Sequence, residues 1–257
     1  MPKLLEYALG DGIHAFSTMR ADGTSQGAYA HFNINPYCGD NPEHVAQNLN
    51  SLCHMLNIAP TNLVMPHQTH ETTVRQVGNE LLSMPKEVRQ MVLEGVDALI
   101  TNVPGVCIGV STADCIPIIL YDAEHRATAA IHAGWRGTVK RIAQNAIAQM
   151  RTAFATNPQT LRAVIAPGIS LQNFEVGDEV YEAFANAAFP MGEIAKRYEK
   201  WHINLPLCNQ LQLQEVGLKA ENIYATDICT YDRCNEFFSA RRLGINSGRI
   251  FTGVTIS

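Results

Sequence analysis

Four side chains in this sequence carry the chemistry of metal ligands: His67 and His70 in the run His67-Gln68-Thr69-His70, then Cys115 and His132. Imidazole nitrogen and thiolate sulfur suit zinc. Three such donors with a fourth position open is the pattern of a catalytic ion, whereas four protein donors close a structural one. Cys115 and His132 flank a stretch that reads as a β-hairpin with its turn at Asp122-Ala123-Glu124-His125. In that register the two residues stand opposite each other, with Cβ atoms about 4.5–5.5 Å apart on one face. Period-two alternation puts Pro117, Thr128 and Ala130 on the same face, leaving room for a ligand. It puts Ile116, Ile118, Leu120 and Ile131 on the reverse, as core. On an extended segment His67 and His70 point to opposite faces, so one of them supplies the third ligand; His70 is preferred, with His67 behind it. The plainer alternative makes Cys115 a small buried hydrophobe and His132 an ordinary strand histidine.

An anion site is the second candidate. His132 runs directly into Ala133-Gly134-Trp135-Arg136-Gly137-Thr138, a strand-to-helix turn. Gly134 and Gly137 let a backbone approach closely, N–H groups up to Thr138 favour negative charge, and Arg136 offers a bidentate fork to phosphate or carboxylate. Alternatively the glycines only make the turn, Thr138 is an N-cap and Arg136 is solvated. Phe237-Phe238-Ser239-Ala240-Arg241-Arg242 sets two arginines beside two aromatics, a combination for stacking on a planar base or gripping an anion, or else core beside surface charge. Arg20, Asn33 and Asn48 stand where a site role is allowed but not demanded. The sequence has no Walker A loop, G-x-G-x-x-G, G-x-S-x-G or C-x-x-C, and His70-Glu71 begins an H-E-x-x run that ends in Val74.

The elements that must position these residues show in the hydrophobic periodicity. Asn41-Pro42 is a helix start, followed by a stripe of Val45, Leu49, Leu52, Cys53 and Leu56. A second helix is expected from Thr138 to Phe154, with Val139, Ile142, Ala143, Ala146, Ile147, Met150 and Phe154 on one face. Short runs rich in Val, Ile and Thr predict strands at Leu63–Met65, Thr72–Val77, Ala98–Thr101, Val106–Val110, Ile116–Tyr121, Thr128–His132 and Leu161–Ile165. Gly177–Ala188 and Asn209–Gly217 read as helical, Asn222–Thr226 and Arg249–Thr255 as extended. Strand pairs mixed with single helices, without repeats or linkers, predict one α+β domain, a mixed α/β sandwich over residues 1–257.

Composition narrows the partners. The 257 residues carry 19 Lys and Arg against 24 Asp and Glu, a net charge of −5, and 46% are hydrophobic. That supports a sizeable core. Without a basic cluster there is no polyanion-binding footprint, so nucleic acid is not an expected partner. The most apolar window, Val106 to Leu120, is broken by Asp114 and Pro117 and is too short to span a bilayer. Seven cysteines without regular spacing and a start lacking export features predict a reducing cytoplasm.

Taken together, certain blocks resemble the YfiH family, also called the laccase-domain or multicopper polyphenol oxidoreductase family. They are Phe16-Ser17-Thr18, Asn33, Gly39-Asp40-Asn41-Pro42, Gln68-Thr69-His70, Asp97-Ala98-Leu99-Ile100-Thr101, Thr112-Ala113-Asp114-Cys115-Ile116-Pro117, His132-Ala133-Gly134-Trp135-Arg136-Gly137-Thr138, Phe174-Glu175-Val176-Gly177 and Phe238-Ser239-Ala240-Arg241-Arg242. The resemblance runs from about Gly12 to Val254. It implies mixed sheets akin to those of a cysteine-hydrolase-like toxin domain and a zinc site of His70, Cys115 and His132. The cysteine pair that many members carry before the last aromatic-Glu-Val-Gly block is replaced here by Ser170-Leu171-Gln172-Asn173. The family is associated with phosphorolysis of adenosine, inosine and methylthioadenosine, adenosine deamination, polyphenol oxidation and editing of peptidoglycan precursors. A multicopper cluster needs about ten histidines, partly in H-x-H pairs; this chain has nine and no such pair, which disfavours copper. The preferred expectation is a zinc-dependent purine nucleoside phosphorylase using nucleoside and phosphate, with Arg136 holding phosphate and Asn33, Gly134, Gly137, Thr138 and Arg241 binding substrate. Adenosine deamination is kept open as an accompanying activity; a precursor-editing amidase and the disfavoured copper-dependent polyphenol oxidase are the alternative enzymes, and a closed structural zinc module is the alternative outside catalysis.

Overall fold

The computed structural model describes residues 2–257. In chain order it runs β1 (Leu4–Tyr7), β2 (Ile13–Thr18), α1 (Pro42–Leu56), β3 (Leu63–Val64), β4 (Val74–Gln76), α2 (Asn79–Leu82), α3 (Lys86–Val92) and β5 (Ala98–Thr101). Next come β6 (Cys107–Thr112), β7 (Ile116–Asp122), β8 (Ala127–Ala133), α4 (Trp135–Val139), α5 (Ile142–Phe154), β9 (Arg162–Ile165), β10 (Glu175–Val176) and α6 (Asp178–Asn186). The chain ends with α7 (Met191–Ile194), β11 (Ala195–Arg197), β12 (Trp201–Ile203), α8 (Leu205–Glu215), β13 (Ile223–Ala225), α9 (Ala240–Leu243) and β14 (Ile250–Ile256). Short 3-10 turns occur between some of these.

Two mixed sheets carry the architecture, in the orders β1-β2-β14-β6-β3 and β13-β9-β7-β8-β5-β4; a three-stranded sheet, β10-β12-β11, adds Val176 and Ile203 to the core beneath the six-stranded one. Because side chains alternate along a strand, each large sheet buries two faces. Ile108, Val110 and Val254 of one meet Leu99, Ile119 and Ala130 of the other in a shared core. The reverse of the six-stranded sheet, with Ile116, Ile118, Ala129, Ile131 and Ala133, is covered by Ala143, Ala146, Ile147 and Met150 of α5 and Leu213 of α8. Phe16, Cys107 and Phe251 on the reverse of the five-stranded sheet pack against Leu52 of α1. The result is the expected α+β sandwich.

Helix α1 starts as its sequence predicts. Asn41 accepts the Glu43 N–H at 2.8 Å, Pro42 occupies the first turn, and Asn57 ends the helix in the left-handed region. The expected helix over Thr138–Phe154 is instead two, α4 and α5, because Arg141 takes φ +65°. Its guanidinium is anchored over the Phe189 ring and on the Ala187 carbonyl, which holds the break in place. Gly134, not Thr138, is the N-cap of α4.

The hairpin β7–β8 also differs from expectation. Asp122 pairs with Ala127, so the turn is Ala123–Arg126, one residue later than predicted, and His132 lies opposite Pro117. Asp122 accepts the N–H groups of Glu124 and His125, keeping it at the end of the strand, and Arg126 closes the turn with φ +48°. Cys115 therefore precedes the ladder. The face shared by Pro117, Thr128 and Ala130 is as read, but Thr128 and Ala130 are fully buried between the sheets and leave no room for a ligand. Strands β1 and β2 and the β10–β12 sheet were not anticipated; β10–β12 are two- and three-residue strands, too short to show a period.

Candidate metal centre and its cavity

His132 comes from the last part of β8 and is almost completely buried. Its backbone N–H donates to the Asp97 carbonyl at 2.8 Å, and its ring Nδ1 pairs with the Asp97 carboxylate at 2.7 Å. With Nδ1 occupied, Nε2 is the nitrogen left for a ligand role.

The same carboxylate shapes the loop that carries His70. It accepts the backbone N–H groups of Thr69 (3.3 Å), His70 (3.0 Å) and Glu71 (2.8 Å). Three successive N–H groups converge on one anion only where the chain curls, and His70 takes φ +65°. Gln68 pins the other side of the loop: its amide donates to the Ser111 carbonyl and accepts from the Ser111 N–H, each at 2.8 Å. Held this way, the His70 ring meets His132 edge-on, with centroids 4.8 Å apart.

Cys115 sits in the turn between β6 and β7. Its neighbour Asp114 adopts φ +89°, with a carboxylate that accepts from Thr230 Oγ1 and the Arg241 backbone N–H, both at 2.7 Å. This fastened corner lets Cys115 reach the histidines without being paired in the hairpin. Gly134 leaves the necessary space: a Cβ there would lie 2.9 Å from His70 Cδ2 and 3.1 Å from Cys115 Sγ. The donor atoms of His70, Cys115 and His132 all lie within 4.8 Å of one another.

The electrostatics suit a cation. Burial pushes the Cys115 thiol upward, but the facing charge and hydrogen bond of His132, with help from His70, outweigh it and bring the thiol down to about 6. Burial works against charge on His132 as well, yet Cys115 and Asp97 raise it to about 9. Asp97 stays below the usual carboxylate range because the hydrogen bond and charge of His132 overcome the effect of burial. A thiolate is thus favoured beside His132, and a bound cation would take the place of the proton that this ring shares with Cys115. By donor type, spacing and charge, the three residues fit one.

The centre opens onto a cavity of about 300 Å³. Beyond the three donors, its wall includes Asn35, Tyr37, Cys38, His67, Gln68, Ser111, Thr112, Ile245 and Arg249. His67 is in this wall but outside the donor group; its Nδ1 pairs with Glu94 at 2.8 Å and its ring stacks on Tyr37 at 4.3 Å. Another cavity, of about 270 Å³, lies beside Ser170, Asn204 and Cys229 and shares none of these residues.

Other expected site residues lie elsewhere. Arg136 is exposed, with its guanidinium 4.3 Å from the Trp135 ring centre, and is not in the cavity wall. Gly137 packs against the Glu71 carbonyl, where a Cβ would lie 3.2 Å away. Thr138 is buried in α4 and receives a hydrogen bond from Asn209. Arg241 donates to the Glu175 carbonyl at 3.1 Å, outside the wall. Asn33, fully buried, binds Asp40 and accepts the backbone N–H groups of Asn35 and Arg249. Asn48 bonds to Thr24, Ser25 and the Asn33 carbonyl, and Arg20 to the carbonyls of Ala30 and Cys234.

Sequence reasoning assigned no part to Asp97 or Arg249. The available signal for Asp97 was a lone acid inside the apolar run Val96–Ile100, where an unpaired charge is unfavourable. Arg249, beside Gly248, carried no such local mark.

The chain is similar to several known proteins. A purine nucleoside phosphorylase of Bacteroides thetaiotaomicron is 47% identical over 95% of this chain and 92% of its own. Adenosine deaminase RL5, from an unknown prokaryotic organism, is 41% identical over 95% and 94%. The crystal structure of a Bacillus licheniformis hypothetical protein YfiH, 24% identical, superposes with a TM-score of 0.92 over 100% of this chain and 97% of that one, a match of fold. The family described as multi-copper polyphenol oxidoreductase laccase matches residues 14–257, and the chain belongs to that family.

Proposed function

We propose that this protein is a zinc-dependent purine nucleoside phosphorylase acting on adenosine, inosine and methylthioadenosine. The observation that carries the reading is the open His70–Cys115–His132 group at the wall of a cavity with an aromatic rim. The 47% identity to a protein named purine nucleoside phosphorylase supports it.

In this reading His70, Cys115 and His132 hold zinc, which when bound supplies Lewis-acid stabilisation of negative charge. Asp97 keeps His132 in the required tautomer and orients the His70 loop. The stacked Tyr37–His67 pair offers the purine a flat wall, with Ile245 elsewhere in the lining as an apolar contact. A phosphate oxygen forms the bond to C1′, the C1′–N9 bond breaks, and the base leaves with the bonding pair and takes up a proton. The products are free base and pentose 1-phosphate.

Deamination of adenosine is the second reading, favoured by the 41% identity to a protein named adenosine deaminase. It ranks lower because zinc deaminases use a glutamate to move protons. No Asp or Glu stands in this cavity wall, and Glu94 meets it through His67. The test is mass spectrometry of the products from zinc-loaded protein and adenosine, with and without phosphate. Adenine and ribose 1-phosphate, formed only with phosphate, are expected. Inosine formed without phosphate would replace this reading by deamination, and unchanged adenosine would move the weight to hydrolysis of a peptidoglycan precursor.

A further inference from the structure

A phosphorolytic site must hold an oxyanion beside the metal, and the turn that sequence reasoning nominated contributes no cationic side chain to the cavity wall. Its arginine, Arg136, is exposed and stacked on Trp135; its two glycines serve packing, Gly134 under His70 and Cys115, Gly137 under Glu71. The helix that follows is only five residues long. The anion must therefore be held by another group.

We infer that Arg249 holds the anionic co-substrate, an oxyanion of the phosphate class, in the metal cavity. This deepens the phosphorylase reading and rests on it. Four observations carry the inference. First, among the described residues Arg249 is the one arginine or lysine in the cavity wall, and that wall contains no Asp or Glu. Second, it forms no ion pair with any carboxylate among the described residues, so its charge is not cancelled. Third, it is preorganised: Nη1 donates to the carbonyls of Ser247 (2.6 Å) and Gly248 (3.0 Å), and Nη2 to that of Ile245 (2.9 Å). These bonds fix the plane of the guanidinium through neutral dipoles and leave its charge available. Fourth, Thr112, another residue of this wall, has a buried Oγ1 without a protein hydrogen-bond partner.

The backbone is braced as well. Asn33 Oδ1 accepts the Arg249 N–H at 3.1 Å and the Asn35 N–H at 3.2 Å, tying the arginine to the loop that carries Tyr37. Asn33 therefore bears on the site through Arg249, not through contact with the substrate. An arginine fixed by carbonyls and facing no acid is suited to an incoming anion, since a planar fork matches tetrahedral oxyanions and little side-chain entropy remains to be lost.

The experiment compares wild type with Arg249→Gln and Arg249→Lys, each zinc-loaded and checked for zinc content and melting temperature. Two readouts are used: phosphorolysis kinetics with phosphate and nucleoside varied separately, and direct titration with inorganic phosphate followed by 31P NMR without nucleoside. Arg249→Gln is expected to raise the phosphate KM on the order of ten- to a hundredfold while the nucleoside KM changes by less than about threefold. Arg249→Lys should fall between, keeping charge and losing the fork. Equal shifts in both KM values, or an unchanged phosphate KM, would overturn the inference. If no phosphorolysis is found at all, the 31P titration still decides: binding to wild type that is lost in Arg249→Gln upholds an oxyanion site with a different reaction, and no binding to wild type refutes it.

Discussion

The two walls of the cavity are built by opposite means. On the side of His132, the donor stands in a central strand and its partner Asp97 is fully buried; the carboxylate makes four hydrogen bonds, to the His132 ring and three backbone N–H groups. On the other side Tyr37, His67, Ile245 and Arg249 come from loops or, for Arg249, the residue before β14, and all are partly or largely exposed. The first wall cannot change without leaving a buried charge unpaired, while the second can vary at little cost to stability. In the proposed reading, buried Asp97 holds the metal donors in place and the exposed loop residues meet the substrate.

That contrast is sharpest at Asp97. Asp97→Asn keeps the volume but replaces one acceptor oxygen by a donor among groups that are all donors when His132 carries its Nδ1 proton. Metal affinity should fall about 10- to 100-fold, measured by competition with a chromophoric chelator, with activity recovered at high zinc. Unchanged affinity would show that the buried wall is not what holds the ligands. His67→Ala probes the loop wall and should do much less. One zinc per chain should remain by elemental analysis, and the nucleoside KM should rise between about two- and tenfold through loss of the aromatic face. Loss of zinc would place His67 among the ligands and erase the distinction between the walls.

Much of this was legible in the sequence wherever a residue's role follows from its neighbours in the chain. The cap at Asn41-Pro42, the stripe of α1 and the strand Ala98–Thr101 stand where periodicity put them. The blocks containing His70, Cys115 and His132 pointed to the residues that the structure gathers, although the hairpin register behind that expectation was displaced by one turn residue. A period of two fixes which face a side chain takes but not the turn that aligns two strands, and here Asp122 settled the turn by capping it. The break at Arg141 was hidden because the apolar stripe continues across it. Arg249 was hidden for a different reason. Its chain neighbours only fix its plane, and its place in the wall depends on His67 and Ser111, which are remote in sequence.

In the proposed function, phosphorolysis depends on a metal held by His70, Cys115 and His132. Its most direct test is to strip the protein with a chelator and titrate zinc back while recording phosphate-dependent release of adenine, alongside Cys115→Ala. Activity should rise with zinc to a plateau at one ion per chain, with neither bound zinc nor activity in the variant. Full phosphorolysis by the metal-free protein, or a Cys115→Ala variant that retains both zinc and turnover, would contradict it.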